Sequence, residues 1–214
     1  MKAAKLQLAT RTLLNPGAQQ WAKVPAESIS LGGTLAQQQP SRYVRTAWAG
    51  KPLGAVRTLK VQAAHNGKDI LFRLEWEDET ENKDHGDGSA FPDAAGVLFP
   101  LNGEAPLESM GSPKAPVNAW YWRANLPESE AQNLIATGLG TVQETAKNAA
   151  QARARWLDGR WEVVFARPFS VDGDGVKLSP RASSKVAFAV WEGSSQERGG
   201  LKSFSKRWRE LEIA

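Results

Sequence analysis

Hydrophobic and polar positions alternate with a period of two through two adjoining stretches. Leu59, Val61 and Ala63 alternate with Lys60 and Gln62, and Ile70, Phe72, Leu74 and Trp76 alternate with Leu71, Arg73 and Glu75. Successive side chains of an extended chain point to opposite faces, so the pattern predicts strands over 55–64 and 68–76, each with one buried face. His65-Asn66-Gly67 lies between them, and Asn-Gly supplies the positive φ of a tight hairpin turn. A second hairpin runs over 152–157, Asp158-Gly159 and 160–167, with Trp161, Val163 and Phe165 on one face. Residues 93–100 and 185–191 are near-continuously apolar and predict buried strands, and 117–123 is β-branched and aromatic. Lys202 to Trp208 leads to a last strand ending at Ile213.

Between these strands the breakers predict irregular chain. Residues 1–26 read as an arm packed on the body through Trp21, Ala22 and Pro25, with a turn at Asn15-Pro16-Gly17. Gly32-Gly33 and 37–40 read as loop, and 43–48 alternates only weakly. Pro127 suits a first helical position and Glu128 and Glu130 suit the helix dipole, which predicts a short helix over 127–135, ended by Gly138 and Gly140. Residues 168–184 and 193–201 read as loops. The fold expected is all-β: an antiparallel β-sandwich with a few short helices in loops, residues 1–214 forming one domain.

Composition narrows the function more than the fold. Nine Trp among 214 residues imply either a Trp-lined pocket or a Trp-filled core. The absence of Cys excludes disulfides, thiolate-ligated clusters, a catalytic thiol and covalent c-type haem. The net charge of +4 is spread along the chain and lacks the dense runs of a nucleic-acid binder. No stretch approaches the length of a membrane span, and residues 1–11 have basic side chains without the unbroken apolar run of a secretory signal. The acidic stretch from Glu75 to Asp87 lacks the spacing of a helix–loop–helix calcium site and reads as a solvated loop. His65 and His85 are the only histidines, and no nucleophile elbow, P-loop or dinucleotide fingerprint is present, so the chain is expected not to be an enzyme on its own.

One loop carries a candidate ligand. Ser109-Met110-Gly111-Ser112-Pro113-Lys114-Ala115-Pro116 runs into the strand from Val117, and Met110 is one of only two methionines. A thioether held in a Gly/Pro-rich loop beside an aromatic strand suits soft coordination to iron, and it equally suits core filling.

The blocks Asp93–Pro100, Met110-Gly111 with Pro116–Trp122, Asp158–Arg167, and Val186–Gly193 with Lys202-Ser203 occur in order. Together they resemble the haem b-binding gamma subunit of ethylbenzene dehydrogenase and its relatives, dimethylsulfide dehydrogenase, selenate reductase and chlorate reductase, over residues 55–210. The resemblance implies a periplasmic sandwich holding one non-covalent haem b. It implies axial ligation by Met110 and Lys202, with Lys206 as the rival lysine. It also implies a heterotrimer with a molybdenum-cofactor catalytic subunit and an iron–sulfur subunit, and electron exchange with a carrier such as a soluble c-type cytochrome. Trp120, Trp122, Phe188 and Trp191 are then candidates to line the pocket or to pack the core. Arg123 and Arg167 are candidates to meet the propionates or to be strand-end arginines. A Trp-rich carbohydrate-binding sandwich without haem is the alternative, and a structural subunit that has lost haem is another.

Overall fold

The computed structural model describes residues 1–173 and 175–214; Asp174, in the stretch expected as a loop, lies outside the described residues. The chain forms β1 (Lys2–Lys5), α1 (Thr10–Leu13), β2 (Ala26–Gly33), α2 (Arg42–Ala47), β3 (Thr58–His65), β4 (Asp69–Glu77), β5 (Ala94–Pro100), β6 (Val117–Arg123), β7 (Gln132–Ala136), β8 (Val142–Glu144), β9 (Gln151–Trp156), β10 (Arg160–Pro168), β11 (Ser183–Trp191), β12 (Ser203–Ser205) and β13 (Arg209–Ile213). One wall of the sandwich is β9-β10-β4-β3-β2 and the other is β8-β7-β6-β5-β11, with β12 and β13 both on the free edge of β11. Strand β2 joins the walls: Ala26–Ser30 pair with β3, and Leu31–Gly33 pair with β12. Strand β1 ties them again by parallel pairing to β13 and to β3. The other pairings are antiparallel, as the alternation and the turns predict.

The two hairpins have the register that the alternation demands. Val61 faces Leu74 and Ala63 faces Phe72 across β3–β4, while Val163 and Phe165 continue the same face on β10. These side chains meet Val97, Phe99, Trp120 and Phe188 of the opposite wall in the main core. The ring of Phe72 lies edge-on to Phe99, Trp120 and Phe188 at 5.9, 6.0 and 6.1 Å. Aromatic pairs at such distances and angles add about 0.5–1.5 kcal/mol beyond area burial. A second cluster covers the outer face of the first wall, where Leu13, Leu14, Trp21 and Val24 pack on Ala64, Leu71, Val164 and Ala166. Trp21 anchors this arm and donates its indole N–H to Leu13 O at 3.0 Å. Ala22 and Pro25, expected to share that role, are exposed.

Three local expectations are corrected. The helix expected over 127–135 is a turn followed by β7, whose backbone pairs with β6. Asn133 on β7 lies buried between Asn118 of β6 and Thr145, its amide oxygen accepting from Asn118 Nδ2 and its own Nδ2 donating to Thr145 Oγ1. Tertiary pairing of this kind outweighs a weak local propensity. The weakly alternating 43–48 is helix α2, opened by Ser41 Oγ accepting from Val44 N. Gly32 and Gly33 end β2 instead of forming a loop.

Phe72 touches both walls, so Phe72→Ala is expected to cost about 3–5 kcal/mol of stability, read as a lowered urea midpoint with an unchanged slope.

Candidate functional site

The outer face of the second wall is apolar as well. Burial runs unbroken along β5, and Leu98, Ala119, Ala187, Ala189 and Trp191 form a cluster separate from the main core. Alternation dictates this: Val97 and Phe99 face inward, so Gly96 and Leu98 face out, and Trp120 and Trp122 inward leave Ala119 and Tyr121 outward. Small residues on that face leave a cleft of about 270 Å³. Its floor includes Gly96, Leu98, Ala119 and Ala136, its sides include Tyr121, Leu134 and Trp191, and Met110, the Gly138–Gly140 turn and Lys202 close it. A Cβ on Gly96 would sit 3.5 Å from Trp120 O and 3.6 Å from the Trp191 ring, ordinary contact distances. Internal packing therefore does not require glycine there; its missing side chain leaves the floor of the cleft flat.

Two loops bring the donors to this cleft. Met110 lies in a left-handed conformation at φ 58°, followed by Gly111 at φ 86°. Gly111 N donates to Pro106 O at 2.8 Å and Met110 N donates to Leu107 O at 3.1 Å. A Cβ at Gly111 would approach Ala115 O and Ala136 O to 2.9 Å, so the turn is pressed against the wall and only glycine fits. Non-glycine residues held at positive φ cost about 1–3 kcal/mol and concentrate at ligand sites. Lys202 enters from the Gly199–Gly200 loop. That loop is pinned by Trp191 Nε1 donating to Gly199 O at 2.9 Å and by Gln39 Nε2 donating to Gly200 O at 3.0 Å. The Lys202 backbone N–H then donates to Thr34 Oγ1, and its carbonyl accepts from Thr34 N.

The electrostatics of Lys202 stand out. It is 4% exposed, lies with Nζ 5.2 Å from the centre of the Trp191 ring, and forms no ion pair among the described residues. Burial pushes its amine down to about 8. Tyr121, edge-on to Trp191 at 5.3 Å, is pushed up by burial in the same cleft.

Of the residues singled out from the sequence, Met110, Lys202 and Trp191 line one cleft. Lys206 does not; it is exposed, donates to Gly33 O at 2.8 Å and stands over the Phe204 ring. Trp120 is corrected: it points into the inter-sheet core with no exposed surface, as do Trp122 and Phe188, because strand alternation sends them to the opposite face from Ala119, Tyr121 and Ala189. Arg123 shares the outer face of β6 with Tyr121 but lies one repeat farther along the strand, beyond the cleft lining. Arg167 points inward, donating to Val176 O at 2.7 Å over the Trp120 ring. Sequence reading missed Gly96, Ala119, Tyr121, Leu134 and Ala136. The available signal was apolar residues at both parities of β5 and β6, which requires a cover on both faces.

A second cluster lies elsewhere. Carboxylate oxygens of Asp78, Asp93 and Glu192 come within 4.8 Å of one another, all buried. Asp78 belongs to the stretch expected as a solvated loop; the exposed Glu79, Glu81, Asp84 and Asp87 match that expectation, and Asp78 does not. Asp93 accepts from Gly193 N, Asn82 N and Trp161 Nε1 at 2.8–2.9 Å, so it ties two loops to β10. Burial first, then its acidic neighbours, push Asp78 up to about 7; burial outweighs three donors and pushes Asp93 up to about 6.

The model of the ethylbenzene dehydrogenase family matches residues 18–148 and 138–203. A Haloferax mediterranei protein named as a respiratory nitrate reductase heme subunit is 35% identical over 201 residues, covering 85% of this chain and 72% of that protein. The gamma subunit of chlorate reductase of Ideonella dechloratans is 35% identical over 209 residues, covering 96% of this chain and 82% of that protein. Among solved structures, a family 9 carbohydrate-binding module of Caldicellulosiruptor kristjanssonii in complex with glucose superposes with a TM-score of 0.55 at 9% identity, covering all of this chain and 95% of that one. That likeness concerns the sandwich fold.

Gly111→Ala is expected to cost about 1–3 kcal/mol through strain at positive φ, read by urea denaturation. The raised carboxyls work in the opposite sense to ordinary paired carboxylates. Asp78 and Asp93 hold protons in the native state that the unfolded chain has released above about pH 4, so the stability they contribute is present at low pH and is lost as pH rises through 6 to 7. Asp78→Asn is expected to flatten the fall in urea midpoint between pH 5 and 8 and to leave the variant more stable than the natural protein at pH 8.

Proposed function

The chain belongs to the ethylbenzene dehydrogenase family, and from that premise we propose that it is a haem b-binding electron-transfer subunit. The carrying observation is that Met110 and Lys202 close the same apolar cleft. The residues suit the group: a flat floor with no side chain at Gly96 and only a methyl at Ala119 matches a planar macrocycle, and the donor set is a soft thioether and an amine without an ion-pair partner among the described residues. Met110 and Lys202 would hold the haem there, and the group would supply one-electron exchange instead of substrate chemistry.

The protein's own residues prepare this. Lys202 must lose its proton to act as a ligand, and burial has already brought that loss close to neutral pH. Trp191 holds the loop that carries Lys202 and packs under its amine. The left-handed turn at Met110, backed by Gly111 against the wall, fixes the thioether without a helix or disulfide. Lys206, engaged outside the cleft, is set aside as a ligand on this reading.

The relatives' names, a heme subunit of a respiratory nitrate reductase and a gamma subunit of chlorate reductase, support a subunit of a multi-subunit oxidoreductase; on the proposed reading this subunit is non-catalytic and works with a molybdenum-cofactor catalytic subunit and an iron–sulfur subunit. Electrons would pass between the iron–sulfur subunit and a soluble c-type cytochrome in the periplasm; among the described residues no helix is long and apolar enough to cross a membrane. The carbohydrate-binding alternative needs exposed tryptophans to stack on sugar rings. Seven of the nine are buried and Trp156 and Trp208 are half-buried, so the indoles are spent on packing.

The test is the visible spectrum of the full chain supplied with haem. A low-spin spectrum is expected for the natural protein and for Lys206→Ala, and its loss for Met110→Ala and Lys202→Ala, with haem affinity falling at least about tenfold. Because a proton competes for the Lys202 amine, haem affinity is expected to fall by about tenfold per pH unit below pH 8 and to level off above it. A protein that stays colourless with haem supplied would overturn the reading.

A further inference from the structure

We propose that Glu197 is the positioning residue that fixes Lys202 at the cleft. The proposal rests on the haem reading above for what Lys202 does, and on independent contacts for how Lys202 is held. The stretch that delivers Lys202 has little packing of its own. Ser194, Ser195, Gln196, Arg198 and Gly199 are exposed and Gly200 is half-buried, so between Ser194 and Gly200 only Glu197 is buried. Gly199 lies at φ 55° with open space around it, and Gly200 follows, so the backbone just ahead of Lys202 is intrinsically pliable. Gln196 takes the left-handed conformation at φ 60°, an unfavourable one for a residue with a side chain, and the residue it introduces is the one that enters the protein.

Glu197 is 1% exposed and pairs with no cation among the described residues. Its Oε1 accepts from Gly54 N at 2.7 Å and from Ala55 N at 2.9 Å, and its Oε2 accepts from Glu192 N at 3.2 Å. Burial pushes the carboxyl up in spite of these three donors, so the group is kept inside at a cost. Three backbone N–H groups from two separate segments converge on it, and charge-assisted bonds of this kind are the strong ones.

The contacts close a ring around the Lys202 loop. Leu53 and Gly54 press on Gly33, and a Cβ on either glycine would collide with the backbone of the other segment. Gly33 pairs with Ser203, the residue after Lys202. Thr34 accepts from Lys202 N through its Oγ1 and donates its own N–H to Lys202 O. Residues 197 and 202 are therefore both tied to one support made of 33–34 and 53–55, with the two glycines between them. The Thr34 bonds fix where the Lys202 backbone sits, and Glu197 fixes the direction from which the loop arrives. Freed at Glu197, the glycine pair would let the chain swing and the amine leave the cleft. Groups that orient a ligand from behind typically change affinity for the bound metal group by about 10–100-fold.

Acylation of the haem-free full chain by a water-soluble amine-reactive ester, mapped by peptide mass spectrometry, reads the placement of Lys202 directly. Measured against the exposed Lys147 of the same chain, Lys202 is expected to react at least about tenfold faster in Glu197→Ala than in the natural protein. Glu197→Gln should fall between them, because a carboxamide keeps one accepting oxygen. Hydrogen exchange of the same chains should lose protection over 192–204 and 53–56 and keep it over 59–65 and 69–77. With haem supplied, Glu197→Gln is expected to lower haem affinity by about tenfold. It should also leave a high-spin fraction that added methylamine converts to low-spin, as in Lys202→Ala and unlike the natural chain. A chain that refuses haem overturns the haem reading and leaves acylation and exchange to decide this one. Unchanged Lys202 acylation in both variants overturns the proposal, since Thr34 then holds Lys202 unaided. Protection lost throughout the chain in Glu197→Gln overturns it too, since the residue then serves the fold as a whole. So does an unchanged haem affinity and spectrum in Glu197→Gln where the natural chain binds haem.

Discussion

The cleft depends on the central strands of the second wall being apolar on both faces. Strands β5, β6 and β11 pair side by side and send Val97, Phe99, Trp120 and Phe188 inward, where they meet Phe72 and its neighbours. Their other face carries Gly96, Leu98, Ala119 and Ala189. Apolar surface without a cover is unfavourable by roughly 25 cal/mol per Å², and small side chains alone do not fill the space. Two loops, one bearing Met110 and one bearing Lys202, close over that face only in part. What remains is a slot whose chemistry is set by what the loops deliver.

Lys202 shows how different two buried charges in this molecule are. The carboxylates of Asp78, Asp93 and Glu192 crowd together, yet they accept hydrogen bonds from the loops they join, and Asp93 organises three segments at one end of the sandwich. Lys202 has a ring face beneath it and no ion-pair partner among the described residues. A buried ammonium of that kind is unfavourable, and proteins meet the penalty by releasing the proton. Burial accordingly brings the Lys202 amine down to about 8, whereas the crowded carboxylates tie loops together.

The same sandwich is used for different purposes in proteins of unrelated sequence. The likeness to a carbohydrate-binding module extends over the whole chain at 9% identity, so it speaks of strand order and layers. Function resides in what the strands present. Here Trp76, Trp161 and Trp122 stack within the core and spend their N–H groups or ring edges on internal partners, and Trp191 supports the cleft.

Period-two alternation and the Asn66-Gly67 and Asp158-Gly159 turns determined by themselves the two hairpins, the one-sided burial of their strands and the all-β class, because side-chain direction along a strand is local geometry. The motif blocks likewise pointed to Met110 and Lys202. Tertiary structure alone decided the rest. It made 132–136 a strand, because β6 offered a backbone edge and Asn118 and Thr145 offered partners for Asn133. It separated Trp191 from Trp120, since a near-continuous apolar strand does not say which parity faces which layer until both layers are in place. And it distinguished Lys202 from Lys206: four residues apart in the chain, one is turned into the slot by the Gly199–Gly200 loop and the other is held outside by Gly33 and Phe204, a difference that arises only when distant loops pack together.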